Sequence, residues 1–126
     1  MSKTNKYIVG SLGLIALLCC AIGGTGLLFA RNINDLILDN KTVYLNCDQL
    51  PDIEQVEAVV QEHSDLIKRI EEVEPGYIFV EMYPKENCTG KGLLLISYGN
   101  HSQRVEIEAL IGSDTFFGIP YQLENH

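Results

Sequence analysis

The stretch that decides the fold is TVYLN, residues 42–46. Its residues alternate in polarity, and Thr, Val and Tyr favour extended backbone, so the pattern predicts a short strand. With that strand the chain reads β-α-β-β-α-β. Without it the chain reads α-β-β-α-β, with a three-stranded sheet. The elements further along the chain are common to both readings.

Pro51 and Asp52 open a helix, with Gln55 placed as a capping box requires. Val56, Val59, Val60, His63, Leu66, Ile67, Ile70 and Val73 recur at helical spacing and form one apolar stripe. Ser64-Asp65 is a point at which this helix would divide in two, and Glu74-Pro75-Gly76 ends it. YIFVEMY, residues 77–83, is read as a strand, and PKENCTGKG as a turn-rich loop. LLLISY, residues 93–98, is the continuously apolar strand expected in the centre of a sheet. Asn100 or Ser102 caps a second helix whose apolar positions are Val105, Ile107, Leu110 and Ile111, and Gly112 ends it. FFGIPYQL, residues 116–123, is the last strand, which Pro120 confines to an edge.

The expected fold is therefore α+β, a small two-layer β-α-β-β-α-β domain of the ferredoxin-like, split-βαβ arrangement. Right-handed crossovers would put its first and third strands in the centre. Cys47 follows the first strand and Cys88 lies in the loop after the second. Parallel strands end at one edge of the sheet, so this topology brings the two cysteines together and predicts a disulfide.

Upstream, residues 7–30 are uncharged, with Lys3 and Lys6 before them and Arg31 after. As a helix this run would be about 36 Å long, enough to cross a bilayer core of about 30 Å. Cleavage after Ala21 or Gly26 would suit a signal peptide, but the chain stays apolar beyond both sites, through Leu27, Leu28, Phe29 and Ala30. The expected organisation is a cytoplasmic N-terminus (residues 1–6), a transmembrane anchor or uncleaved signal (7–30), a juxtamembrane stalk (31–41) and an exported domain (42–126). The alternative is secretion after cleavage. Cys19 and Cys20 are read as small apolar residues of the anchor, because neither follows the small residue that a bacterial lipoprotein site needs.

Beyond the anchor there are 7 Lys and Arg against 17 Asp and Glu. Such a surface opposes nucleic acid and anionic lipid and leaves basic partners and cations open. GYIFVEMY superficially resembles the aromatic strand of an RNA-recognition domain. It lacks the leading basic residue and has Ile78 where a small residue belongs, so no nucleic-acid partner is expected.

Alternation along residues 77–83 sends Ile78, Val80 and Met82 toward the helices and Tyr77, Phe79, Glu81 and Tyr83 to the other face. Tyr44 would join them from the first strand. A two-layer fold leaves that face open, so Tyr44, Tyr77, Phe79 and Tyr83 are candidates for an interface with a protein partner or a second copy. The competing reading is that the stalk or the C-terminal tail covers them. Asn40-Lys41-Thr42, Asn87-Cys88-Thr89 and Asn100-His101-Ser102 are candidate glycosylation triplets at Asn40, Asn87 and Asn100, although Asn, Ser and Thr gather in turns for other reasons.

No nucleophile motif, phosphate loop, dinucleotide fingerprint or zinc spacing is present, so no catalytic residue, metal or cofactor is assigned. The functional expectation is a membrane-anchored, non-catalytic interaction domain outside the cytoplasm. The alternative is a small extracytoplasmic enzyme or cation-binding domain using acidic residues and His63 or His101.

Overall fold

In the computed structural model, which describes Ile33 and residues 35–126, TVYLN forms no strand. Only Lys41, just before it, pairs with the sheet, exchanging backbone hydrogen bonds of 2.9 and 3.0 Å with Leu123. The chain divides into two units, Met1–Leu36 and Ile37–His126. The second unit is α+β. Its elements are a 3-10 turn (Cys47–Gln49), α1 (Ile53–Glu62), α2 (Ser64–Glu71), β1 (Phe79–Pro84), β2 (Gly92–Tyr98), α3 (His101–Ile111), β3 (Thr115–Phe116) and β4 (Ile119–Asn125).

The sheet is mixed, in the order β1-β2-β4-β3. Strands β1 and β2 are antiparallel, β2 and β4 parallel, and β3 and β4 antiparallel. This corrects the ferredoxin-like expectation. In that arrangement the first strand would separate the strands that here pair directly, Leu94 with Tyr121 and Ile96 with Leu123. TVYLN could turn only Val43 and Leu45 to the helices, whereas β4 brings Ile119, Tyr121 and Leu123, all buried, to the place beside β2. The three-stranded alternative falls short as well, because β3 adds a fourth strand through a two-residue hairpin.

That hairpin also moves Pro120 off the edge. Phe117 and Gly118 both have positive φ, 49° and 85°, the backbone that such a tight connection requires. Pro120 faces Thr115, and pairing of β4 with β2 begins only at Tyr121, so the missing N–H lies outside the parallel ladder.

The core lies between the helices and one face of the sheet. Val56 of α1, Ile70 of α2 and Ile107 of α3 are fully buried against Leu94, Ile96, Tyr98, Tyr121 and Leu123. Each such side chain contributes about 1.5–3 kcal/mol on burial. The expected stripe holds: Val59, Val60, Leu66, Ile67 and Val73 pack against this cluster. Val105 does not, and is 52 % exposed on the outer side of α3. The helix break falls at His63, one residue before the expected point.

Asp52 stands at the N-cap of α1 without a side-chain cap bond. Its carboxylate pairs with the Lys91 ammonium at 2.8 Å instead. The capping box forms one turn earlier, where Gln49 Oε1 accepts from the Asn46 N–H at 3.0 Å. Asn100 caps α3 by accepting from the Gln103 N–H, and Gly112 ends it in the left-handed conformation. Gly92 is needed for close approach: a Cβ there would lie 2.4 Å from Ile53 Cδ1 and 2.9 Å from the Tyr83 carbonyl oxygen. Among the described residues no helix is long and apolar enough to cross a membrane, and the expected anchor lies outside them.

Candidate functional site

The sheet face away from the helices is not fully open. Strand register puts Phe79, Glu81 and Tyr83 of β1, Leu93, Leu95 and Ser97 of β2, and Gln122 and Glu124 of β4 on it. The segment after Lys41 crosses this face. The Val43 N–H donates to Gln122 Oε1, and Pro51 and Ile53 then exchange backbone bonds with Gly92 and Gly90. Leu93 and Leu50 are buried, yet neither belongs to the core under the helices. The β2–β4 half of this face is therefore covered, by the segment after the stalk and not by the stalk or C-terminal tail of the competing reading.

The β1 half stays exposed. Phe79 is 51 % exposed, Tyr83 38 % and Tyr77, in the turn before the strand, 68 %. Tyr44, on the crossing segment, is 57 % exposed. Of the residues expected to face the helices, Ile78 is buried and Val80 packs on the core, whereas Met82 is 42 % exposed because β1 is the outermost strand. The free edge of β1 is blunted. Glu71 Oε1 accepts from the Val80 N–H at 3.3 Å, and Pro84 has no N–H to offer. The side chains of β1 are thus more available than its backbone.

A second constellation escaped the sequence reading. Asp39, with φ 55°, holds the chain end of the stalk to the domain. Its carbonyl accepts from the Tyr98 hydroxyl and from Arg104 Nη1, and its Oδ1 accepts from Arg104 Nη1 at 3.0 Å and lies 3.0 Å from His101 Nδ1. Arg104 Nη2 reaches Glu108 Oε1 at 3.5 Å. Asn40 Oδ1 accepts from the Asn125 N–H, and the Lys41 ammonium lies 3.4 Å from the centre of the Tyr121 ring. Burial favours the protonated Asp39 carboxyl, but the His101 hydrogen bond and the Arg104 charge outweigh it and hold its pKa below the ordinary value. No sequence signal marks this clamp, because its members lie 59–65 residues apart.

Burial, and then the nearby Asp39 carboxylate, push the Tyr98 hydroxyl up to about 12. Burial, and then Glu108 and Asp114, push Tyr121 to about 12 as well. Both folded values exceed the unfolded one, so their contribution is complete below pH 10 and is lost as pH rises through 12. The domain is expected to lose on the order of 2 kcal/mol per tyrosine over this window. Denaturant melts from pH 9 to 12 check it; a midpoint that stays flat while tyrosinate absorbance grows would contradict the burial of these hydroxyls.

The remaining expected residues separate. His63 stacks on Phe117, ring centres 3.4 Å apart, with Phe116 edge-on to both. His101 belongs to the clamp. The two histidines named for catalysis therefore sit in different surroundings. Among the described residues no group of three or more His, Cys, Asp or Glu is placed to hold a metal ion. Cys47 and Cys88 form a disulfide with Cα atoms 5.2 Å apart. Its cause differs from the expected one: the backbone bonds of Pro51 and Ile53 to the 90–92 segment carry the Cys47 turn to the Cys88 loop. Asn87 and Asn100 are exposed, and Asn40 is half-buried in its bond to β4. No protein-family model, curated protein or solved structure matches the chain.

Proposed function

We propose that this is a membrane-tethered protein that presents a small acidic interaction domain on the exported side, engaging a protein partner through the β1 side of its sheet. The observation that carries this reading is the exposed strip of Phe79 and Tyr83, with Tyr77 beside it, on a domain whose core is complete without them. The disulfide fits an oxidising compartment. The uncharged run at 7–30 supplies the tether, and the few positive charges before it favour a cytoplasmic N-terminus. Mass measurement of the intact protein from its own membrane is expected to include residues 1–30; a chain beginning at Ile22 or Leu27 would mean secretion instead.

The interface is tested with Phe79→Ser in the full chain. A half-exposed ring outside the core is expected to leave the melting temperature within about 2 °C. An interface aromatic should at the same time abolish chemical cross-linking of the protein in its membrane, because a few such anchors carry most of the energy. A fall of 10 °C or more would make Phe79 a structural residue and end this reading.

A further inference from the structure

On the reading of β1 as an interface, we propose that its partner supplies a basic segment whose arginine or lysine head lies over the Phe79 ring. Phe79 lines a hollow of ≈ 260 Å³ with Lys68, Glu71, Glu72, Pro75 and Ile78. Glu71 holds its carboxylate at the strand margin through the Val80 N–H. Glu81 lies on the same face as Phe79, two residues along the strand, or about 7 Å. Exposed ring and carboxylates thus meet at one place, where Glu72 is already paired with Lys68 at 4.0 Å and Glu81 stands on the sheet face away from that pair's helix.

A cation suits both, since it is attracted to the ring face and to the carboxylates together. The domain already makes such pairs within itself, with Lys41 over Tyr121 at 3.4 Å and Lys85 over Tyr83 at 5.7 Å. The overall charge points the same way. The chain has 17 acidic against 9 basic residues, so a second copy would bring like charge to the same strip, whereas a basic partner is drawn to it. The blunted strand edge disfavours partners that would add a strand, leaving side-chain recognition as the mode.

The test uses the full chain in mild detergent and a fluorescent peptide of alternating glycine and arginine. Its control is the same peptide with citrulline, which keeps the shape of arginine without the charge. Binding of the arginine peptide is expected to weaken as salt rises. The citrulline peptide should bind at least tenfold more weakly, and Phe79→Ser should weaken the arginine peptide by at least tenfold while Glu81→Gln does so several-fold. Equal binding of both peptides, or unchanged binding to Phe79→Ser, overturns the proposal.

A photo-reactive benzophenone side chain at position 79, used in the native membrane, separates the two readings. An adduct with another protein that the arginine peptide displaces supports the proposal. An adduct that the peptide does not displace, or one of doubled chain mass, overturns the basic partner and leaves the interface standing. No adduct removes the interface itself.

Discussion

Replacing Cys47 and Cys88 together by serine is expected to lower the stability of the domain by on the order of 4 kcal/mol in the chain-entropy account. The bond closes a loop of 41 residues, which contains α1, α2 and β1. Freed from it, the unfolded chain gains most of the entropy that the crosslink removed. The folded side changes less, because Ile53 still bonds Gly90, Gly92 still bonds Pro51, and the Lys91–Asp52 ion pair remains. For a unit of this size the melting temperature should fall by 15 °C or more. Thermal melts of the Cys47→Ser, Cys88→Ser double variant, and of the wild type with and without reductant, read this directly. Equal melting of all three would show that the loop is already ordered in the unfolded chain.

Arg104→Ala is expected to cost about 3 kcal/mol, the range for breaking a largely buried ion pair from one side. Arg104 and Asp39 side chains are 19 % and 21 % exposed, so solvent replaces the lost partner only in part. The substitution leaves the Asp39 carboxylate with His101 alone and takes one of two donors from the Asp39 carbonyl. Asp39→Ala should cost less, because Arg104 keeps the backbone carbonyl and Glu108. In the double variant the two costs should not add, since one interaction is removed twice. Denaturant midpoints of the three variants measure the coupling. The link also sets an acid limit: the Asp39 pKa is lowered, so its contribution is complete above pH 3.8 and disappears as pH falls through the folded value. Fully additive single costs would mean that the clamp contributes through packing rather than charge.

What the sequence made legible was local. The apolar stripe of α1 and α2, the caps of α3 at Asn100 and Gly112, and the buried character of β2 each depend on residues within a turn or two, and each appears where the spacing places it. Strand order depends on long-range competition. TVYLN has strand propensity, but β4 offers β2 a better neighbour in Tyr121 and Leu123, and propensity yields to burial. Pro120 misled for a related reason: what matters is which edge its missing N–H faces, and that is set by the hairpin at Phe117-Gly118. The disulfide follows from pairing the two cysteines outside the apolar run, although it is the backbone bonds of Pro51 and Ile53 to residues 90–92, and not a ferredoxin-like sheet edge, that bring them together. Phe79 and Tyr83 are legible from alternation; the segment that shields the rest of their face is not, because the alternation of residues 42–46 reads as a strand within the sheet and not as a segment crossing it. The clamp was invisible, since an Asp, a Tyr and an Arg so far apart carry no mark of their meeting.

The pairing of the stalk with the last strand bears on how the protein is made. Asn40 and Lys41 emerge from the ribosome well before their partners Asn125 and Leu123, which lie 85 positions later in the case of Asn40 and Asn125. Until β4 arrives, β2 lacks its parallel neighbour, and only the α1–α2–β1–β2 portion can begin to pack. Contacts of such high sequence separation form slowly and late. The sheet is therefore finished only once β4 has left the ribosome, and a chain that stops before Tyr121 loses the closing strand and the fastening of Asn40 and Lys41 together. The seven-residue β4 thus completes the sheet and fastens the stalk in one step.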